Sequence, residues 1–160
     1  LKGSLKILKP EIMCLITKQK RVGVLGKDMK VYKVVRKYGE TYCSPIQSFE
    51  WEWDTLYETD MGIKRNVPYP SLFFGEKYSF VDKAAAEGYS GFMGRLTIIY
   101  EGFHAYTVRK RINHEHWKQS IGNYSDVLCF TIPAGAKVFR DATGLIVSDK
   151  MILKREDNEN

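Results

Sequence analysis

The sequence predicts an α+β domain, a mostly antiparallel sheet with two short helices packed on it. Three observations predict it. Short β-branched and aromatic runs, among them 31–35 and 127–132, are separated by glycines, prolines and polar links. Aromatic residues reach 13%, with ten Tyr and eight Phe, a composition that favours strands. Two stretches, 80–87 and 107–118, carry helix signals instead. The 160 residues suit one domain, long enough to bury roughly two-thirds of its unfolded surface.

Residues 1–28 read as an N-terminal extension that packs on the domain as a β-hairpin. Its arms are 12–17 and 21–25 around the polar link 18–20, with Gly23 and Gly26 as interruptions. A single domain is expected over 29–153. It opens with a strand in which Val31, Lys33 and Val35 share one face and Tyr32, Val34 and Arg36 the other. A turn at 38–40 leads into 41–44. The stretch 48–59, "SFEWEWDTLYET", has the clearest alternation in the chain: Phe49, Trp51 and Trp53 interleave with Glu50, Glu52 and Asp54. A strand with its aromatic side on the core is expected. A stacking platform for bases is disfavoured, because the interleaved carboxylates would repel phosphate.

Residues 61–76, with Gly62, Pro68, Pro70 and Gly75, read as a loop. Ser79 is placed to cap a helix over 80–87 that Gly88 closes. A strand follows at 96–100, then a second helix at 107–118 with Ala105, Val108, Ile112 and His116 on one narrow face. Strands at 127–132, 136–139 and 145–153 complete the domain. Residues 154–160 are expected to be a disordered tail.

The net charge of +6 is uneven. Residues 1–33 hold nine Lys or Arg against Glu11 and Asp28, whereas 50–60 hold five acids and no base. A basic end can meet phosphate, and Lys18, Lys20, Arg21 and Lys30 are the residues to form such a patch. Scattered charge also reads as an ordinary solvated face. No apolar run approaches the ~20 residues that span a bilayer, so no membrane partner is expected. Three cysteines, Cys14, Cys43 and Cys129, form no C-x-x-C pair. A disulfide framework and a cysteine-based zinc site are therefore not expected, and the cytoplasm is the expected location.

Few residues carry a chemical signature. His114 and His116 diverge on a helix, so no metal site is expected. Cys129, between Leu128 and Phe130, reads as an inert strand thiol rather than a partner for His104. No phosphate-cradle, dinucleotide or nucleophile-elbow motif occurs. His104 follows Gly102 at a strand end. It reads either as a structural histidine bonded to main chain or as a pocket histidine that orients a ligand. In the second case Tyr100, Phe103, Tyr106 and Tyr32 are the residues expected beside it, with no catalytic role assigned.

The fragments "VYKVV", "EGFHAYT", "FTIPAGAKVF" and "LIVSDKMIL" come in an order that resembles a group of small domains of bacteriophages and prophages. These carry a G-F-H-A motif and a closing I-P-x-G-A-K…S-D-K segment, and some accompany pentapeptide-repeat proteins. The resemblance spans roughly 29–153 and implies phage or prophage origin, with no chemistry attached. A fainter likeness is to ADP-ribosyltransferases, with Tyr32-Lys33 in the first strand and Gly102-Phe103-His104 in the middle. That likeness implies NAD, yet no glutamate lies between Glu115 and Glu156 to steer a ribose. The expected function is a non-enzymatic interaction domain that binds a host protein or small ligand near 102–106. An ADP-ribosyltransferase-like NAD-binding enzyme, active or degenerate, and a basic nucleic-acid-binding domain are the alternatives.

Overall fold

The computed structural model describes residues 15–44, 49–68, 94–121 and 124–159. These form a mostly antiparallel β protein. Strands β1 (Leu15–Thr17), β7 (Gly62–Pro68) and β8 (Arg95–Glu101) make a small sheet in the order β1-β8-β7. The larger sheet has ten strands. They are β2 (Gly23–Val24), β3 (Met29–Tyr38), β4 (Thr41–Cys43), β5 (Glu50–Trp51), β6 (Leu56–Glu58), β9 (Phe103–Tyr106), β10 (Ser125–Ile132), β11 (Lys137–Arg140), β12 (Leu145–Ser148) and β13 (Lys150–Ile152). Its main path runs β2-β11-β12-β9-β3-β10-β13-β6, and β4 joins β3 to β5.

Alternation explains the layering. On β9 and β12 every residue is buried, so both faces are covered. Phe103, Ala105 and Ile146 turn to one side, where they meet Val31, Val35, Trp51, Phe130 and Met151. Tyr106, Leu145 and Val147 turn to the other and pack with Leu15 and Ile99 of the small sheet. Trp51 centres the first cluster. Its ring stands edge-on to Phe49 at 4.9 Å, Tyr57 at 5.1 Å and Phe130 at 4.8 Å, contacts worth about 0.5–1.5 kcal/mol each beyond their burial.

Several expectations change. Among the described residues the two arms of the expected N-terminal hairpin do not pair with each other. Leu15–Thr17 pairs with β8, and Gly23–Val24 pairs with β11, because each arm finds a longer apolar neighbour elsewhere. The part of 1–28 before Leu15 lies outside the described residues. The expected loop at 61–76 begins instead with strand β7. Pro68 is tolerated there because it ends an edge strand, and Gly62 is needed because an added Cβ would fall 2.5 Å from the Tyr100 ring. The expected strand through 48–59 is broken at Asp54, whose φ of 56° turns the chain.

The helix expected at 80–87 lies outside the described residues. The helix expected at 107–118 is replaced by a short 3-10 turn, Arg109–Arg111, and a later helix α1 (His114–Ile121). Thr107 donates both its amide and its hydroxyl to the Gly144 carbonyl, which holds that segment to β12 and delays the helix. The expected disordered tail is docked. Asn158 accepts from the Cys129 amide at 2.8 Å and donates to the Cys129 carbonyl at 2.9 Å, so its side-chain amide takes the place of a neighbouring strand on β10.

Candidate functional site

His104 lies in β9 and is 8% exposed. Its Nδ1 is 3.1 Å from the Gly102 carbonyl oxygen and its Nε2 is 3.4 Å from that of Ile99. A neutral ring has one N–H, and the shorter contact assigns it to Nδ1. Burial, and then the charge of Lys33, push the ring's pKa down to about 4, so it is neutral at physiological pH. Both nitrogens thus face main chain rather than a cleft.

The other candidate residues do not converge on it. Tyr32 lies opposite Tyr106 in the β3–β9 pairing, and the two share the side of the sheet that His104 occupies. Phe103 points the opposite way, 5.6 Å from Trp51. Tyr100 belongs to the small sheet, is 45% exposed, and lays its ring over Gly62. The NAD-binding alternative expects a cleft with Tyr32, His104 and an acid within reach of one site, whereas both ring nitrogens of His104 lie against main-chain carbonyls.

Lys33 occupies a place that the strand alternation had marked: the same face as Val31 and Val35, opposite Leu128. Its stem runs into the main core and its Nζ donates to the His104 carbonyl oxygen. The ammonium stands 5.9 Å from the Trp51 ring, and no carboxylate among the described residues is bonded to it. Lys33 remains half-buried while protein surrounds its amine. That desolvation pushes its pKa down to about 8. Trp51 is 4% exposed and its Nε1 has no hydrogen-bond partner.

A second constellation lies at the surface, where three stretches distant in sequence meet. Arg65 donates to the Lys20 carbonyl, and Lys20 Nζ reaches the Arg95 carbonyl at 3.4 Å. Arg95 in turn donates to the Asn66 carbonyl at 3.4 Å. The Arg65 guanidinium is 6.0 Å from the Phe139 ring. Gln19 bonds the main chain of two further basic residues: its Nε2 donates to the Arg21 carbonyl at 2.8 Å, and its Oε1 accepts from the Arg140 amide at 2.9 Å. Lys20, Arg21, Arg65, Arg95 and Arg140 are all exposed, and none is ion-paired among the described residues.

Lys18 is exposed in the same loop but has a partner of its own. Lys30, expected in this patch, pairs with Asp157 at 3.2 Å instead. Nothing in the spacing of Arg65, Arg95 and Arg140 announces their meeting. Gln19, which aligns two of the cations, carries no sequence signal at all.

His114 and Cys129 hold structural positions. His114 Nε2 is 3.3 Å from the Ser125 carbonyl oxygen. Burial, then the charge of Asp157, raise the Cys129 thiol's pKa, the direction of an unreactive thiol. Compared with family models, curated proteins and solved structures, the chain finds no match.

Proposed function

We propose that this is a non-enzymatic interaction domain that binds the phosphate backbone of nucleic acid through the Lys20, Arg21, Arg65, Arg95 and Arg140 edge. The observation that carries this reading is the gathering of five exposed, unpaired cations through their shared main-chain contacts. Four of the five are arginines, whose planar donor forks match phosphate oxygens in pairs. Among the described residues no large exposed aromatic side chain belongs to the cluster, which favours contact with backbone phosphate over stacked bases.

A protein partner bearing clustered carboxylates is the competing occupant of this edge. Arginine's paired phosphate geometry favours nucleic acid. The free thiols of Cys43 and Cys129 suit a cytoplasmic site of action, and the closing I-P-x-G-A-K…S-D-K segment suits a phage or prophage source. No helix among the described residues is long and apolar enough to cross a membrane.

The test is binding of a mixed-sequence duplex of about 20 base pairs, followed by fluorescence anisotropy as salt is raised. Binding that weakens steeply with salt, and weakens further on Arg65→Gln, supports the reading. Absence of binding at low salt overturns it.

A further inference from the structure

We infer that Lys33 and Trp51 form an inner site for the carboxylate of a small monocarboxylic acid, separate from the basic edge. An ammonium has three donors, and Lys33 spends one on the His104 carbonyl oxygen. Two remain without an acceptor among the described residues. The buried indole N–H of Trp51, whose ring centroid is 5.9 Å from the ammonium, has none either. Folded proteins leave few buried donors unsatisfied, so such a gathering marks the place of an acceptor. A binding role also explains why a lysine is kept where an apolar residue would pack at less cost.

The chemistry of the walls narrows the occupant. It must accept hydrogen bonds and donate none, because every polar group waiting for it is a donor. One ammonium balances one negative charge, and the cost of burying an ion rises steeply with its charge, so a monoanion is favoured over a phosphate dianion. A carboxylate has two acceptor oxygens, enough to face both the amine and the indole. Val31, Val35 and Phe103 bound the same region, so the rest of the acid is short and apolar.

The groups facing the amine set the pH dependence. From β3 these are Val31 and Val35, from β10 Leu128, from β5 Trp51, and from β9 the neutral imidazole and carbonyl of His104. Tyr57 packs on Trp51, and its hydroxyl accepts from the Glu52 amide. A carboxylate binds the ammonium and not the free amine. With Lys33 titrating at about 8, the apparent Kd rises about elevenfold between about pH 6.5 and about pH 9. A surface lysine, titrating near 10.4, gives almost no change over that range.

The experiment uses the whole chain and sodium acetate against sodium chloride at equal ionic strength, with melting temperature and proton NMR as readouts. Acetate is expected to raise the melting temperature saturably above chloride and to move one of the three indole N–H resonances downfield. Lys33→Met is expected to abolish both effects while raising the melting temperature without acetate. Arg65→Gln is expected to leave them intact, which separates this site from the basic edge. Stabilisation no greater than with chloride, an unmoved indole resonance, an effect that survives Lys33→Met, or a flat pH profile would each overturn the proposal. The indole resonance is read in the unsubstituted protein, so the outcome does not depend on a core variant folding.

Discussion

Salt dependence offers the most direct check on the basic edge, because its slope counts charges. Each phosphate neutralised by a lysine or arginine releases condensed counterion from the duplex, and log K falls by ~0.9 per contact for each decade of salt. Five cations are gathered by Gln19, Lys20 and Arg65. If all five meet phosphate, the slope is about −4.5, and affinity drops about 500-fold between about 50 mM and about 200 mM salt. Arg65→Gln removes the cation at the centre of the group and reduces the slope to about −3.6, a drop of about 150-fold over the same range. Lys30→Gln is the internal control, since its ammonium is already held by Asp157. Fluorescence anisotropy with a labelled mixed-sequence duplex reads all three proteins. A slope shallower than about −2, or equal slopes for the unsubstituted protein and Arg65→Gln, would refute the reasoning.

Three further outcomes concern the scaffold. His104 is buried neutral with its pKa at about 4 against an ordinary 6.5, so the unfolded chain binds a proton that the folded chain refuses. Its contribution is therefore intact above about pH 6.5 and falls by about 3 kcal/mol as pH drops to about 4, measured as the difference in urea stability between the unsubstituted protein and His104→Gln. Gly102 has φ +143°, and an added Cβ would fall 2.7 Å from Val147 Cγ2. Gly102→Ala is expected to lose about 2–3 kcal/mol, and Gly102→Ala with Val147→Ala to recover the steric part only. Asn158→Ala removes both bonds to the Cys129 main chain and is expected to cost about 1–2 kcal/mol, with faster hydrogen exchange at the Cys129 amide; unchanged exchange would contradict the docked tail.

Local pattern made much of the sheet legible. The run at Met29–Tyr38 alternates, and its partner at Ser125–Ile132 is β-branched and apolar, so both read as strands and do pair. The aromatic side of 48–59 reads as core, and Phe49 and Trp51 are buried there. Tertiary contacts decided the rest. Two glycines and two prolines made 61–76 look like loop, yet the apolar β8 recruited Gly62–Pro68 as a strand. The tail looked like a polar end, yet β10 before Thr131 left main-chain groups at Cys129 that Asn158 bonds.

The candidate residues divide along the same line. Proximity in sequence put Tyr100, Phe103, His104 and Tyr106 together, but successive strand residues face opposite ways, and Tyr100 lies in the other sheet. Alternation placed Lys33 on the face of Val31 and Val35, but no role attached to it until the fold enclosed its amine. By itself the chain's pattern of alternation determined that the stretches around 29–37 and 127–132 become strands and that Phe49 and Trp51 turn inward. Which strands meet, and so which cations and donors share a site, was decided only by the folded sheets, because partners such as Lys20 and Arg95 are distant along the chain and nothing local encodes their pairing.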